Sequence, residues 1–251
     1  MPWARLLPLL LACSPVMAVE APLITYSVAT KPDLKSFRPE EIDLLEKLNR
    51  KDRRNLQRAD QVVMPSRFDL DTLDYSPLPR FSEWAAAQDF KAIVVDLRSQ
   101  VFGAYEFGNL VRWGPVSSGR ERYPTPPGHF HLNWRARSRR STDNVNWLME
   151  WYFNFHNSRG IAFHKYSLPG RPASHACVRL LERDAKWLYD WGEQWTLSSD
   201  RQAVLDLGTP VWIVGQYEFG APPPWFDPRW WDQPITIPER EIRDISGSPT
   251  A

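Results

Sequence analysis

The chain has 251 residues, with 31 Lys and Arg against 30 Asp and Glu for a formal net charge of +1. So even a balance argues against nucleic acid as a partner, for which a strongly basic face is expected. The length suits one sizeable domain with appendages, and the 13 tryptophans suit a carbohydrate or peptide groove as well as ordinary packing.

Residues 1–18 read MPWARLLPLLLACSPVMA. Arg5 precedes an apolar run that is too short to anchor the chain across a bilayer. Val16 and Ala18 put small residues at the minus-three and minus-one positions, so a signal peptide cleaved after Ala18 and release into the periplasm are expected. Leu10-Leu11-Ala12-Cys13 also resembles a bacterial lipobox, the alternative in which Cys13 becomes a lipid anchor. No later stretch is apolar enough to span a membrane.

Residues 19–89 read as a linker followed by a small helical cap. Residues 19–36 are mixed and Pro-containing and are expected to form an extended arm. Ile42, Leu45 and Leu48 have helical spacing, and Pro39 suits a first helical position. Asp52 is placed to cap a second short helix carrying Leu56 and Ala59, and residues 62–65 form a short strand. Ser82 caps a further short helix. From residue 90 the texture changes to strands, at 92–97, 101–106, 110–113, 130–134, 151–155, 161–164 and 211–214. Gly108-Asn109 is the expected hairpin turn. Residues 181–195 read as the main helix, with Leu181, Ala185, Leu188 and Trp195 on one face. Residues 217–251 form a Pro- and Trp-rich C-terminal extension. The sum is a mainly β domain over 90–216 with one main helix.

The chemistry centres on residues 174–179, Ser-His-Ala-Cys-Val-Arg. Once Cys13 is removed or lipidated, Cys177 is a lone thiol in an oxidising compartment. A lone cysteine can be a small buried hydrophobe. Here Ser174, His175 and Arg179 flank it and His164 lies upstream. These residues can supply the base, positive field and hydrogen bonds that a thiolate nucleophile needs. His129 and His131 share a strand face and suit a metal, but no third ligand is evident. Arg135, Arg137, Arg139 and Arg140 suit contact with an anionic polymer, but most such runs are solvated loops. Trp147, Trp151 and Tyr152 suit either a groove or the core.

Gly160 to His164, followed by Ser174 to Leu180, resembles the catalytic domain of the L,D-transpeptidase family, also called YkuD-like. Gly114-Pro115-Val116-Ser117-Ser118-Gly119, Thr125-Pro126-Pro127-Gly128-His129-Phe130 and Gly208 to Ile213 resemble its other signature runs in the same order. Together they cover residues 90–216. The resemblance implies a β-sandwich or barrel with a helix after the catalytic cysteine. It implies Cys177 as nucleophile, His164 as general base and acid, and His175 as support or rival base. The backbone carbonyl of Lys165 would orient His164, and backbone N–H groups of Ala176 and Cys177 would hold an oxyanion. Ser174, Arg179 and Lys165 would contact substrate, Arg179 through a carboxylate. The substrate implied is a peptidoglycan stem peptide, with carbapenems as inhibitors and no metal or organic cofactor required.

One residue departs from the family pattern. Ala176 stands where the family has glycine. If the backbone there is left-handed, alanine costs about 1 kcal/mol or more. If only close approach matters, alanine is the smallest substitute. With the same site, water as acceptor would give an L,D-carboxypeptidase or amidase, and a lysine side chain would give attachment of a protein to the wall. A spoiled oxyanion site would leave an inactive wall-binding module, and a zinc peptidase using His129 and His131 is the remaining alternative.

Overall fold

The computed structural model describes residues 24–87, 90–142 and 144–231. The expected signal peptide, the Cys13 anchor and the end of the C-terminal extension lie outside the described residues. No helix among the described residues is long and apolar enough to cross a membrane.

The strands are β1 (Tyr26–Thr30), β2 (Gln61–Pro65), β3 (Lys91–Asp96), β4 (Val101–Glu106), β5 (Asn109–Ser117), β6 (Gly128–His131) and β7 (Arg135–Arg140). They continue as β8 (Leu148–His156), β9 (Ile161–Lys165), β10 (Val178–Leu180), β11 (Thr196–Leu197), β12 (Val204–Asp206) and β13 (Pro210–Val214). The helices are α1 (Pro39–Leu48), α2 (Arg53–Leu56), α3 (Glu83–Ala86) and α4 (Glu182–Trp191). The fold is mainly β, as the sequence implies. Nine strands form one sheet in the order β6-β13-β3-β4-β5-β10-β9-β8-β7.

That sheet curls. Phe130 of β6 and Phe155 of β8 belong to strands far apart in the order, yet their ring centroids lie 5.6 Å apart. The chain after β6 also crosses to β8: Asn133 N–H donates to Asn154 O at 2.8 Å and Asn154 N–H to Trp134 O at 2.9 Å. The concave face buries Ile93, Val95, Phe102, Val116, Phe153, Phe163, Val178, Leu180, Val211 and Ile213 under Ala185 and Leu188 of α4. Asp184 of α4 is buried and pairs with Arg112 of β5 at 2.7 Å, which ties the helix to the sheet.

The central strands are apolar on both faces because both are covered. In β3, Ile93 and Val95 face the concave core, whereas Ala92 and Val94 face a second cluster. Trp113 and Trp212 join that second cluster together with Leu44 and Leu48 of α1, Tyr75, Leu78 and Ala85. The N-terminal segment therefore roofs the convex face. Polar contacts lock it there. Lys47 Nζ donates to Trp113 O at 3.0 Å, and Trp113 Nε1 donates to Thr72 O at 2.7 Å. Buried Arg50 donates to Ser99 O, Lys47 O and Leu48 O and lies over the Trp225 ring of the C-terminal extension. Buried Glu46 takes Arg53 of α2 and Arg183 of α4.

Several elements differ from the sequence reading. The expected extended arm contains β1, which pairs antiparallel with β2 and adds a small sheet to the cap. The cap is therefore not purely helical. The hairpin turn is one residue earlier than expected: Phe107 and Gly108 both have positive φ, and Asn109 already pairs with Glu106. The main helix stops at Trp191, where Gly192 ends it, so Trp195 is not on its face. The arginine run is an edge strand, β7, rather than a loop. Exposed charge on an edge suits it, since a charged edge resists pairing with another chain.

The roofing segment carries a stability prediction. A fragment of residues 90–216 would expose Val94, Tyr105, Trp113 and Trp212, each almost wholly buried in the full chain. It is expected to aggregate or to lose cooperative urea unfolding, whereas a 24–231 fragment unfolds in one transition. Cooperative unfolding of the 90–216 fragment at full-length stability would refute the roofing role.

Candidate functional site

Parallel pairing of β10 with β9 assembles the site. Val178 stands beside Phe163, Arg179 beside His164 and Leu180 beside Lys165. Side chains alternate across a strand. Phe163, Val178 and Leu180 therefore enter the core. His164, Arg179 and, one step before the strand, Cys177 fall on the opposite side. There they line a cavity of about 320 Å³ with Ser174, His175, Tyr166, Gly160, Tyr152, Trp147, Arg139 and Arg159, among others.

Cys177 is half-buried, and it is the one free cysteine among the described residues. Its sulfur lies 3.9 Å from Gly160 O, which also accepts from Tyr152 Oη at 3.0 Å. The turn before it is held by hydroxyls. Ser174 Oγ donates to Cys177 O at 2.5 Å, and Thr125 Oγ1 donates to Ala176 O at 2.7 Å. Thr125 Oγ1 also accepts from Gly119 N–H at 2.8 Å. A trans peptide points its N–H opposite to its C=O. Fixing Ala176 O on Thr125 therefore turns the Cys177 N–H away from Thr125.

Deeper support comes from Gln100, which is fully buried. Its amide donates to Ser118 Oγ at 2.8 Å and accepts from Ser118 N–H at 2.9 Å. Ser118 O in turn accepts from Ala173 N–H and Ser174 N–H. The sequence reading missed Gln100 and the role of Thr125, because neither residue type signals chemistry by itself.

His164 is 4% exposed. Its Nδ1 lies 2.9 Å from Lys165 O. A carbonyl only accepts, so Nδ1 carries the proton and Nε2 keeps its lone pair. Burial, chiefly, lowers its pKa to about 4, with the Arg179 charge adding to the fall and the Lys165 carbonyl opposing it. The imidazole is neutral at neutral pH. The Lys165 ammonium is committed elsewhere, to Glu150 at 2.7 Å and Glu182 at 3.1 Å. Its carbonyl is the atom that meets His164.

His175 is clamped. Its ring stacks on Tyr123 with centroids 4.5 Å apart and meets Trp147 edge-on at 4.8 Å. Its Nε2 contacts the Arg120 guanidinium, which can only donate. Arg179 lies over Tyr166 at 4.6 Å and donates to Ser167 O at 3.4 Å, and burial lowers its pKa. Ser174 is buried, with its hydroxyl spent on the turn. Trp147 and Tyr152 line the cavity, but Trp151 does not. It sits at a register shift in β8 with φ of 54° and packs into the concave core. His129 stacks on Trp212 with centroids 3.9 Å apart. Among the described residues no group of three or more His, Cys, Asp or Glu could hold a metal ion.

Ala176 has φ of 76°, in the left-handed region. The backbone angle, and not only close approach, is therefore what glycine would serve here. Replacing Ala176 by glycine relieves about 1–2 kcal/mol of strain. It also costs about 0.5–1 kcal/mol of backbone entropy and up to about 0.8 kcal/mol of lost methyl burial. Ala176→Gly is thus expected to leave stability within about 1 kcal/mol of wild type. Ala176→Val, β-branched in the same backbone, is expected to lose about 2 kcal/mol or more. Urea titration of both variants checks this, and a tolerated valine would refute it.

His164 also makes stability depend on pH. Its ordinary pKa of 6.5 falls to about 4 on folding, so the unfolded chain holds more protons between those values. Its contribution is complete above pH 6.5 and is lost as pH drops toward 4, on the order of 3 kcal/mol in all. Half-buried His129 also has a lowered pKa, about 4, so His164→Gln is the control. The gap between wild type and variant is expected to narrow or reverse as pH falls through that window. A gap independent of pH would refute it.

Residues 91–213 match the family model described as YkuD, L,D-transpeptidase catalytic domain. Similar solved structures include an L,D-transpeptidase from Stackebrandtia nassauensis, at 26% identity over 52% of this chain and 58% of that chain, TM-score 0.42. Another is from Xylanimonas cellulosilytica, at 29% identity over 57% of this chain and 66% of that chain, TM-score 0.43. A third is from Mycobacterium tuberculosis H37Rv, at 24% identity over 50% of this chain and 58% of that chain, TM-score 0.40. A further similar structure is of an L,D-transpeptidase in complex with imipenem, at 21% identity and TM-score 0.40. The chain spans less than two thirds of the length of each of these structures. No curated protein matches it. On the family match, residues 91–213 of this chain belong to the YkuD family of L,D-transpeptidase catalytic domains.

Proposed function

We propose that the protein is a periplasmic cysteine acyltransferase that cross-links peptidoglycan stem peptides. One observation carries the reading. A neutral imidazole, with its Nδ1 proton fixed on a backbone carbonyl, shares a cavity with a half-buried thiol. A thiol near its ordinary pKa is only a few per cent ionised at neutral pH, so a base in reach raises its reactivity.

In the proposed reaction His164 Nε2 takes the Cys177 proton as sulfur attacks the carbonyl of the L-centre of the third stem residue. Backbone N–H groups of Ala176 and Cys177 hold the oxyanion. The bond to the terminal D-alanine breaks, and its amine leaves with the proton from His164. A thioester remains. The amine of a second stem peptide attacks that thioester, gives a proton to His164 and releases the sulfur. Splitting one difficult exchange into two is the gain from a covalent intermediate. Arg179 lies beside His164 and is suited to a substrate carboxylate. His175, held between Tyr123, Trp147 and Arg120, supports the wall.

Purified protein incubated with disaccharide tetrapeptides is expected to yield cross-linked dimer by mass analysis. Cys177→Ala and Cys177→Ser are expected to yield none. His164→Gln is expected to lower the rate by about a hundredfold or more, with His175→Gln costing less. A trimmed stem without dimer would mean that water is the acceptor and the enzyme a carboxypeptidase. No product, together with ordinary thiol reactivity, would leave an inactive wall-binding module. The same thiolate can open a strained β-lactam, so a carbapenem is expected to add once to wild type at Cys177 and not to Cys177→Ala.

A further inference from the structure

We infer that a second groove, built in part by the C-terminal extension, binds the free carboxylates of a peptide strand reaching into the thiol cavity. The groove has a volume of about 630 Å³. Arg120, Glu121, Arg122, Arg171, Tyr217 and Phe219 are among the residues that line it. Tyr217 and Phe219 lie beyond residues 91–213, outside the family match.

Three features point to an anionic peptide. None of the three arginines has a carboxylate partner among the described residues, unlike Arg38, Arg53, Arg112 and Arg183 elsewhere. Guanidinium groups fork onto carboxylates, and three of them against Glu121 leave the groove net positive. Glu121 would repel a dense polyphosphate but can receive an ammonium. Spaced carboxylates with an amine, carried on a chain that packs on Tyr217 and Phe219, match this mixture. Tyr217 and Phe219 meet edge-on with centroids 5.1 Å apart.

The groove is also coupled to the thiol cavity. The Arg120 guanidinium contacts His175 Nε2, and His175 lines the thiol cavity. Arg120 N–H donates to Ser174 O at 3.1 Å, and Arg171 O accepts from Ser117 Oγ at 2.7 Å. A strand lying in the groove thus meets the backbone that carries Cys177. Arg139, Arg159 and Arg179 continue the positive lining inside. The inference rests on the proposed function for its substrate and deepens it: the peptide is recognised by carboxylates outside the bond being exchanged.

The test uses full-length Cys177→Ala protein, so that binding is read without turnover. Calorimetric titration with disaccharide tetrapeptide is expected to show binding that weakens with salt. Amidating the peptide carboxylates, or the double substitution Arg122→Ala with Arg171→Ala, is expected to weaken it by roughly tenfold. Tyr217→Ala is expected to weaken it less. Equal affinity for free and amidated peptide, or for the double variant, would overturn the inference. So would competition by inorganic phosphate at equal concentration, which would make the groove a general anion site. The same double substitution in otherwise wild-type protein is expected to raise KM with kcat little changed. Turnover with unchanged KM would sink the groove and leave the proposed function standing. Groove binding without any turnover by wild type would do the opposite.

Discussion

The site depends on three residues of parallel pairing between β9 and β10. That register sets Arg179 beside His164 and sends Phe163, Val178 and Leu180 into the core. A shift of one residue would reverse every side chain in β10. It would bury Arg179 and turn Val178 toward the cavity. Burying an unpaired guanidinium costs several kcal/mol, and the apolar partners would lose their contacts. The core therefore enforces the site geometry: the same apolar packing that stabilises the sheet keeps Cys177 and Arg179 on the side of His164.

Such a short strand needs help from outside the sheet. β10 has three residues, and the turn before it carries a left-handed alanine. The surrounding hydrogen bonds compensate for that strain. Ser174 and Thr125 hold two successive carbonyls, and Gln100 holds Ser118, which holds the N–H groups of Ala173 and Ser174. Gln100, Ser118, Thr125, Ser174 and Ala176 are buried, where a lost partner costs about 1–3 kcal/mol. Strain at Ala176 persists because its neighbours leave the backbone no other course.

The sequence exposed the candidate site more readily than its supports. Cys177, His164 and Arg179 were legible from residue type and motif, and β3, β4 and β13 from their apolar runs. β10 was not, since three residues inside a motif have no period to read. Trp151 was ambiguous because the β8 register shift breaks the alternation that would have placed it. The turn at Phe107 was displaced because Asn and Gly together usually mark it, yet here the aromatic residue takes the positive φ. Gln100 and Thr125 act through hydrogen bonds to residues distant in the chain, which no local pattern encodes. The arginines of β7 gave a charge signal without a strand signal, as an edge position allows.

The appendages complete the catalytic domain in physical terms. Two-sided burial of Val94, Trp113 and Trp212 requires a cover on the convex face, and α1 with residues 72–86 supplies it. The cap also reaches the site's own loops. Asp52, at the start of α2, accepts from Leu168 N–H at 2.7 Å and from Ser167 Oγ at 2.9 Å. Ser167 O is the carbonyl that receives Arg179. A residue far outside the family match thus fixes the loop against which Arg179 rests. At the other end, Trp225 packs on Arg50 of the cap, so the C-terminal extension is fastened before it supplies the wall containing Tyr217 and Phe219. Cap, sheet and extension share buried charges and rings, and removing either end would loosen loops that border Cys177. The residues lining the thiol cavity lie within the family match, while the segments that brace its loops lie on either side of it.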